Sequence, residues 1–316
     1  MLPRTMVQPA PVSTALALWR LSRPRFAFWL LVVLLMGYGF AHWDRAIAPV
    51  RPAALALVLL AWYFGNTGTM WLNAAIDPDD GGALFLHNVR RPKHLRSWGY
   101  GAFVVSSGLV LIADWRVCVA AVLAGVLSIG YSHPLTLWKG HPILGPLVNA
   151  VGYGALSMGA GWLLVSVPMD LRTALTFALI ILWMLGATFI AQAFQEKDDG
   201  QRGYRTLVVT HGPATCLRVG RACMNAAILG TTLLMIIGYY PRIGLFGIPV
   251  FFFADRWMQR WQKQPNGGTS EWAGGYVKRM LAGGIAVFAL MVVDYTRDYA
   301  AGRDAAGLAT ARGRPE

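Results

Sequence analysis

Long apolar runs, each broken by a charge, a proline or a glycine, recur along the chain near 26–42, 52–73, 98–114, 116–132, 144–166, 173–194, 217–238, 242–255 and 280–297. No polar face repeats through them at helical spacing, so the helices they predict reserve no side for water. At about 1.5 Å per residue, roughly 20 apolar residues cross the ~30 Å hydrocarbon core of a bilayer. The pattern therefore predicts an all-α, polytopic membrane protein with nine transmembrane helices. Only Asp114, Trp115 and Arg116 separate the third and fourth runs, which forces a tight antiparallel hairpin. The eighth run is the shortest. Residues 1–25 are expected to form a cytoplasmic lead with a short interfacial helix over 13–22, residues 26–298 one nine-helix transmembrane domain, and 299–316 a polar tail. The lead does not read as a cleavable signal peptide, because its first apolar run passes directly into further spans.

Composition agrees. The 316 residues are 56% hydrophobic and 14% charged, against about 25% charged in a soluble domain. A net charge of +13 would point to nucleic acid in a soluble protein. Here the basic residues gather in loops and at helix ends, with no zinc-finger spacing or RNA-binding aromatic pattern, so no nucleic acid partner is expected. With the N-terminus inside, nineteen Lys and Arg fall on the cytoplasmic side and five in the outer loops. That asymmetry orients the chain in a membrane, expected to be a bacterial inner membrane, where the cations meet anionic lipids. Cys118, Cys216 and Cys223 form no CxxC and read as packing residues. Trp257, Trp261 and Trp272 read as interface anchors. Glycine-rich stretches such as 150–161 allow close helix packing, within the chain or in a homo-oligomer.

Acidic residues are scarce and clustered. Six of the 15 fall within 77–80 and 196–199. The first cluster, WLNAAIDPDDGG at 71–82, puts Asn73 and Asp77 four apart on one helix face before Pro78 ends the helix. Asp79 and Asp80 follow on a turn. The second, QAFQEKDDGQRGYRTL at 192–207, puts Gln195 and Asp199 four apart, with Glu196 and Asp198 beside them and Arg202 and Arg205 beyond. The two clusters end the second and sixth spans, on the same side of the membrane. Oxygen donors gathered at one mouth of a bundle suit Mg²⁺, which bridges to phosphate oxygens, with arginine or lysine clamping the outer charges. A transporter fits less well, because its acidic residues belong at mid-membrane.

These motifs resemble those of the UbiA superfamily of intramembrane prenyltransferases, typically nine transmembrane helices around a central cavity with two cytoplasmic Asp-rich motifs. Asn73 and Asp77 match the first and fifth places of NDxxDxxxD. Asp199 and Gly203 match the end of the second motif, followed by RTL at 205–207. LSRPR at 21–25 resembles the opening motif, and YSHP at 131–134 with Lys139, His141, Pro142, Gly145 and Asn149 resembles the segment after the fourth helix. The sequence departs from the pattern at Ala74, Gly81 and Gln195, each standing where the family usually has Asp.

The resemblance implies Mg²⁺-dependent transfer of a prenyl group from a prenyl diphosphate to a lipophilic acceptor within the membrane. Asp77, Asp199, Asp80 and Asp198 would hold the metal with Asn73 and Gln195. Arg202, Lys139 and Asn73 would meet the diphosphate, and Tyr131 would stabilise the allylic cation or orient the diphosphate. His133 and His141, flanking a proline-rich turn, are not expected to bind metal. Two alternatives stay open: a terpene cyclase that needs no acceptor, and a catalytically degenerate member that binds lipid.

Overall fold

The computed structural model describes residues 13–42, 51–76, 91–165 and 168–300, and among these the regular structure is entirely helical. Asp77 and Asp80 lie outside the described residues, as do Asp79 and all of the polar tail after Ala300.

Ser13 caps α1 (Thr14–Leu21) by accepting from the Leu16 N–H at 3.3 Å, so a short helix stands where the lead predicts one. Arg23, in the left-handed region (φ 50), turns the chain before α2 (Pro24–His42). Prolines open both α2 and α3 (Pro52–Ile76), where a missing N–H costs no helical hydrogen bond. The predicted hairpin is tighter than three residues. Asp114 alone joins α4 (Leu95–Ala113) to α5 (Trp115–Ser132) and caps α5 by accepting from the Arg116 N–H at 3.0 Å.

The fifth run is one helical path in three parts: α6 (Leu144–Asn149), a π-helical stretch Ala150–Leu156, and α7 (Ser157–Leu163). Then come α8 (Leu171–Gln192), the short α9 (Glu196–Gln201) and α10 (Leu207–Ile236). α10 is broken near its start, where Gly212 (φ 78) precedes Pro213. The long straight part therefore begins close to the predicted start at 217.

Among the described residues seven helices are long and apolar enough to cross a membrane, which makes the chain an integral membrane protein. The eighth predicted run is different. A 3₁₀ turn, Arg242–Gly247, and Pro249 precede α11 (Val250–Trp261), which has only 12 residues. At about 18 Å it is too short to cross alone. The ninth begins earlier than 280, as α12 (Ser270–Ala300).

Only 22–39% of the residues in each spanning window are buried; exposed Val104, Ile112, Leu229 and Phe288 present the bundle's apolar outside. Inside, beside two smaller apolar clusters, the described residues form two main cores. One joins α2, α3, α4, α5 and α7 around Leu34, Val58, Trp62, Val110 and Leu164. The other joins α8, α10, α11 and α12 around Leu217, Met224, Met258, Trp261 and Tyr276. Glycines set the closest crossings, as small residues do where lipid offers no hydrophobic drive to pack helices. A Cβ on Gly161 would collide with the Leu34 carbonyl oxygen of α2, and one on Gly186 would lie 2.9 Å from the Gly220 carbonyl oxygen of α10. Trp261 is no interface anchor: it is fully buried and donates to the Gly267 carbonyl at 2.7 Å. The three cysteines are unpaired.

Candidate active site

The ends of α3, α5 and α8 meet at one end of the bundle. After α5 the Thr136 hydroxyl donates back to the Gly130 carbonyl at 2.7 Å, and Leu137 takes a left-handed conformation (φ 44). A branched residue there is strained, and the strain falls two residues before Lys139. Lys139, in the 3₁₀ turn Trp138–Gly140, is 7% exposed. Its Nζ donates to Asn73 Oδ1 at 3.2 Å and stands 5.7 Å from the centre of the Tyr204 ring. Asn73 Oδ1 also accepts from the Ser132 hydroxyl at 3.4 Å. The predicted diphosphate ligands Asn73 and Lys139 are thus brought together.

The second motif comes to the same place by backbone stitching. Asp199, on α9, is 6% exposed and its Oδ2 accepts from the Thr206 hydroxyl at 2.8 Å. Gly203 (φ 74) turns the chain so that the Tyr204 N–H reaches the Asp199 carbonyl at 3.0 Å and the Arg205 N–H reaches the Gly140 carbonyl at 2.8 Å. That last bond ties the lysine-bearing turn directly to the Asp199 segment. Gln195 and Asp198 are half-buried beside Asp199, and Arg202 is half-buried at the end of α9. His133 and His141 accept backbone N–H groups in their own turns, from Leu135 and from Ile143 and Leu144 at 3.1–3.2 Å, which accounts for both.

Below this mouth a cavity of about 190 Å³ runs between α2, α3, α4, α5 and the π-helical stretch. Tyr131 and Asn149 border it, with Asn149 Nδ2 donating to the Tyr131 hydroxyl at 3.4 Å. Polar groups continue inward. Thr69 and Ser128 hydroxyls pair at 2.8 Å, and Trp62 Nε1 donates to Ser157 Oγ at 3.0 Å, which donates to the Gly152 carbonyl in the π-helical stretch at 2.9 Å.

Two residues lining the cavity were missed in the sequence. In the sequence Arg23 stands out as part of an opening motif and as one of the orienting charges, not as a cavity residue. Asn66 lies two turns deeper than Asn73, about 10 Å along α3. It is 3% exposed, and neither atom of its carboxamide has a hydrogen-bond partner among the described residues. A lone carboxamide within an apolar span was the available signal.

The donors described near the mouth, Asp199, Asp198, Gln195 and Asn73, are all oxygens, the chemistry Mg²⁺ takes. No group of three His, Cys, Asp or Glu able to hold a metal occurs among the described residues.

Residues 26–272 match the UbiA prenyltransferase family, and the chain belongs to that family. Its fold is similar to that of a digeranylgeranylglyceryl phosphate synthase, at 15% identity and a TM-score of 0.62, over 89% of this chain and 98% of that one. It is also similar to a UbiA homolog from Archaeoglobus fulgidus, solved with DMAPP and Mg²⁺ (15% identity) and with GPP and Mg²⁺ (16%), each at a TM-score of 0.65 over 87% of this chain and 99% of the other. No curated protein matches the chain in sequence.

Proposed function

We propose that this chain transfers a prenyl group from a prenyl diphosphate to a lipophilic acceptor carrying a polar group, at the mouth of its intramembrane cavity. One observation carries the reading: a buried lysine, held on Asn73 and stitched through Gly140 to the segment of buried Asp199, sits where a polar mouth opens onto a cavity between helices. A diphosphate is the ligand that matches a buried cation beside oxygen donors at the end of an apolar tunnel. The structures of the Archaeoglobus homolog with prenyl diphosphates and Mg²⁺ support the same class of substrate.

In this reading the tail lies in the cavity and the diphosphate stays at the mouth. Lys139 and Arg202 hold its outer oxygens and stabilise the charge that grows there as the allylic C–O bond breaks. Asp199 and Asp198, with Gln195 and with Asp77 and Asp80 from the segment outside the described residues, would hold Mg²⁺. A bound Mg²⁺ supplies positive charge to the departing diphosphate. Asn73 fixes the Lys139 ammonium, and Tyr131 offers the allylic cation its ring face. Phe26, Leu30 and Phe103 on the cavity wall keep water from that cation. Asn66 would donate to and accept from the acceptor's polar group, since a buried carboxamide left unpaired costs about 1–3 kcal/mol. The charge asymmetry of the loops supports a cytoplasmic mouth.

The test is incubation of the purified protein with C10 to C20 prenyl diphosphates and Mg²⁺, with and without a membrane lipid extract, with products identified by mass spectrometry. Diphosphate release that needs the extract and yields a prenylated adduct is expected. A cyclic product without extract would make the protein a cyclase, and no release from any of them would overturn the enzymatic reading.

A further inference from the structure

A second concavity, of about 570 Å³, opens on the outside of the bundle between α11 and α12. Four cations line it: Arg256, Arg260, Lys263 and Arg279. None pairs with a carboxylate among the described residues. The nearest acid on α11, Asp255, has its oxygens taken by Arg221 (2.6 and 3.0 Å), Asn225 (3.0 Å) and Gln259 (2.7 Å). Arg256 and Arg260 are four apart on one helix and Lys263 three further, so the cluster repels itself unless an anion joins it. The two inner guanidiniums are held over aromatic rings. Arg279 Cζ lies 3.8 Å from the centre of the Trp257 ring and Arg256 Cζ 5.0 Å from that of Phe252. Arg279 spends one N–H on the Gly275 carbonyl at 2.9 Å.

Position narrows the ligand. Gly267, in the loop after α11, abuts the Ala193 carbonyl and Pro213, so the α11–α12 hairpin lies at the same end of the bundle as Asp199. Arg279 is nine residues into α12, about 13 Å from that end, within reach of headgroup depth for a side chain that snorkels. Phe252 and Phe253, 55% and 64% exposed, continue the concavity toward the membrane interior. Cations toward one end and exposed rings toward the other match a phosphate with acyl chains behind it.

We infer that this concavity is a binding site for the headgroup of an anionic bilayer phospholipid. Basic pockets between transmembrane helices bind such headgroups. Here α11, too short to span, gives the site its floor.

The test uses full-length protein delipidated in detergent and offered phosphatidylglycerol or phosphatidylcholine of the same chains, with retained lipid counted by native mass spectrometry. The protein should retain one phosphatidylglycerol at a concentration about tenfold below that needed for phosphatidylcholine. Arg256→Gln/Arg279→Gln should abolish the preference, and Arg260→Gln/Lys263→Gln, which alters only exposed side chains, should weaken it. The second variant decides the matter if the first does not fold. Arg96→Gln/Arg218→Gln, which removes the same charge elsewhere, should leave the preference intact. Equal retention of the two lipids, unchanged preference in the site variants, or equal loss in the charge-matched control would overturn the assignment. So would displacement of the phospholipid by equimolar geranyl diphosphate without metal, because the pocket would then select the diphosphate.

Discussion

Two residues concentrate the chemistry, and they differ in how visible they were. Lys139 stood in a motif, so its place near the mouth could be read in advance. That it is buried and bonded to Asn73 could not, because the contact joins residues 66 apart. Asn66 was visible only as a polar letter within an apolar run, and its meaning depends on neighbours that offer it no partner. Each makes a prediction. Lys139→Met should cut prenyl diphosphate turnover at least about 100-fold, the scale of losing one preorganised charge. The thermal midpoint should hold, and unaltered turnover would remove the lysine from the site. Asn66→Leu should stabilise the unliganded protein by about 1–2 kcal/mol, by removing an unpaired buried group, while raising the acceptor KM. A variant that is less stable, with acceptor KM unchanged, would make Asn66 a packing residue.

At the scale of elements, spans read well wherever one helix crosses in one piece, and poorly where the backbone breaks. The limits of α2, α3 and α5 follow from apolar length and proline. The Gly212–Pro213 break and the π-helical stretch do not, because both are fixed by what packs or hydrogen-bonds around them. The α4–α5 corner is the most local of these devices. Hydrogen bonds from Arg116, against the opposing effect of burial and with help from Arg51, hold the Asp114 carboxyl well below its ordinary value near 3.8. A lowered folded pKa stabilises the fold above the ordinary value and loses that contribution as pH falls toward the folded one. The wild-type thermal midpoint should therefore drop below about pH 4 more steeply than that of Asp114→Asn, and identical slopes would mean the corner does not depend on the ionised carboxylate. Gly161→Val should cost about 3 kcal/mol, because α7 has no room to give against α2. A folded variant of unchanged stability would contradict that contact.

At the scale of the molecule, the two main helical cores among the described residues flank a polar mouth where their ends meet. Its membrane character was legible from hydropathy alone, and so was which loops share a side. Seven of the nine predicted spans appear as single long apolar helices among the described residues; the fifth is broken into three parts, and α11 carries its cations toward one end and stops at 12 residues. The Asp-rich motifs could be placed by sequence, but Ala74, Gly81 and Gln195 left the strength of the donor set unread, and Asp77 and Asp80 lie outside the described residues. The central claim is that Asp199 and Lys139 work on one diphosphate. Binding of geranyl diphosphate by the purified protein, titrated with and without Mg²⁺ for wild type, Asp199→Asn and Lys139→Met, tests it most directly. The account predicts binding that Mg²⁺ strengthens in wild type, loss of the Mg²⁺ effect in Asp199→Asn, and weak binding in Lys139→Met at any Mg²⁺ concentration. Equal, metal-independent binding by all three proteins would contradict it.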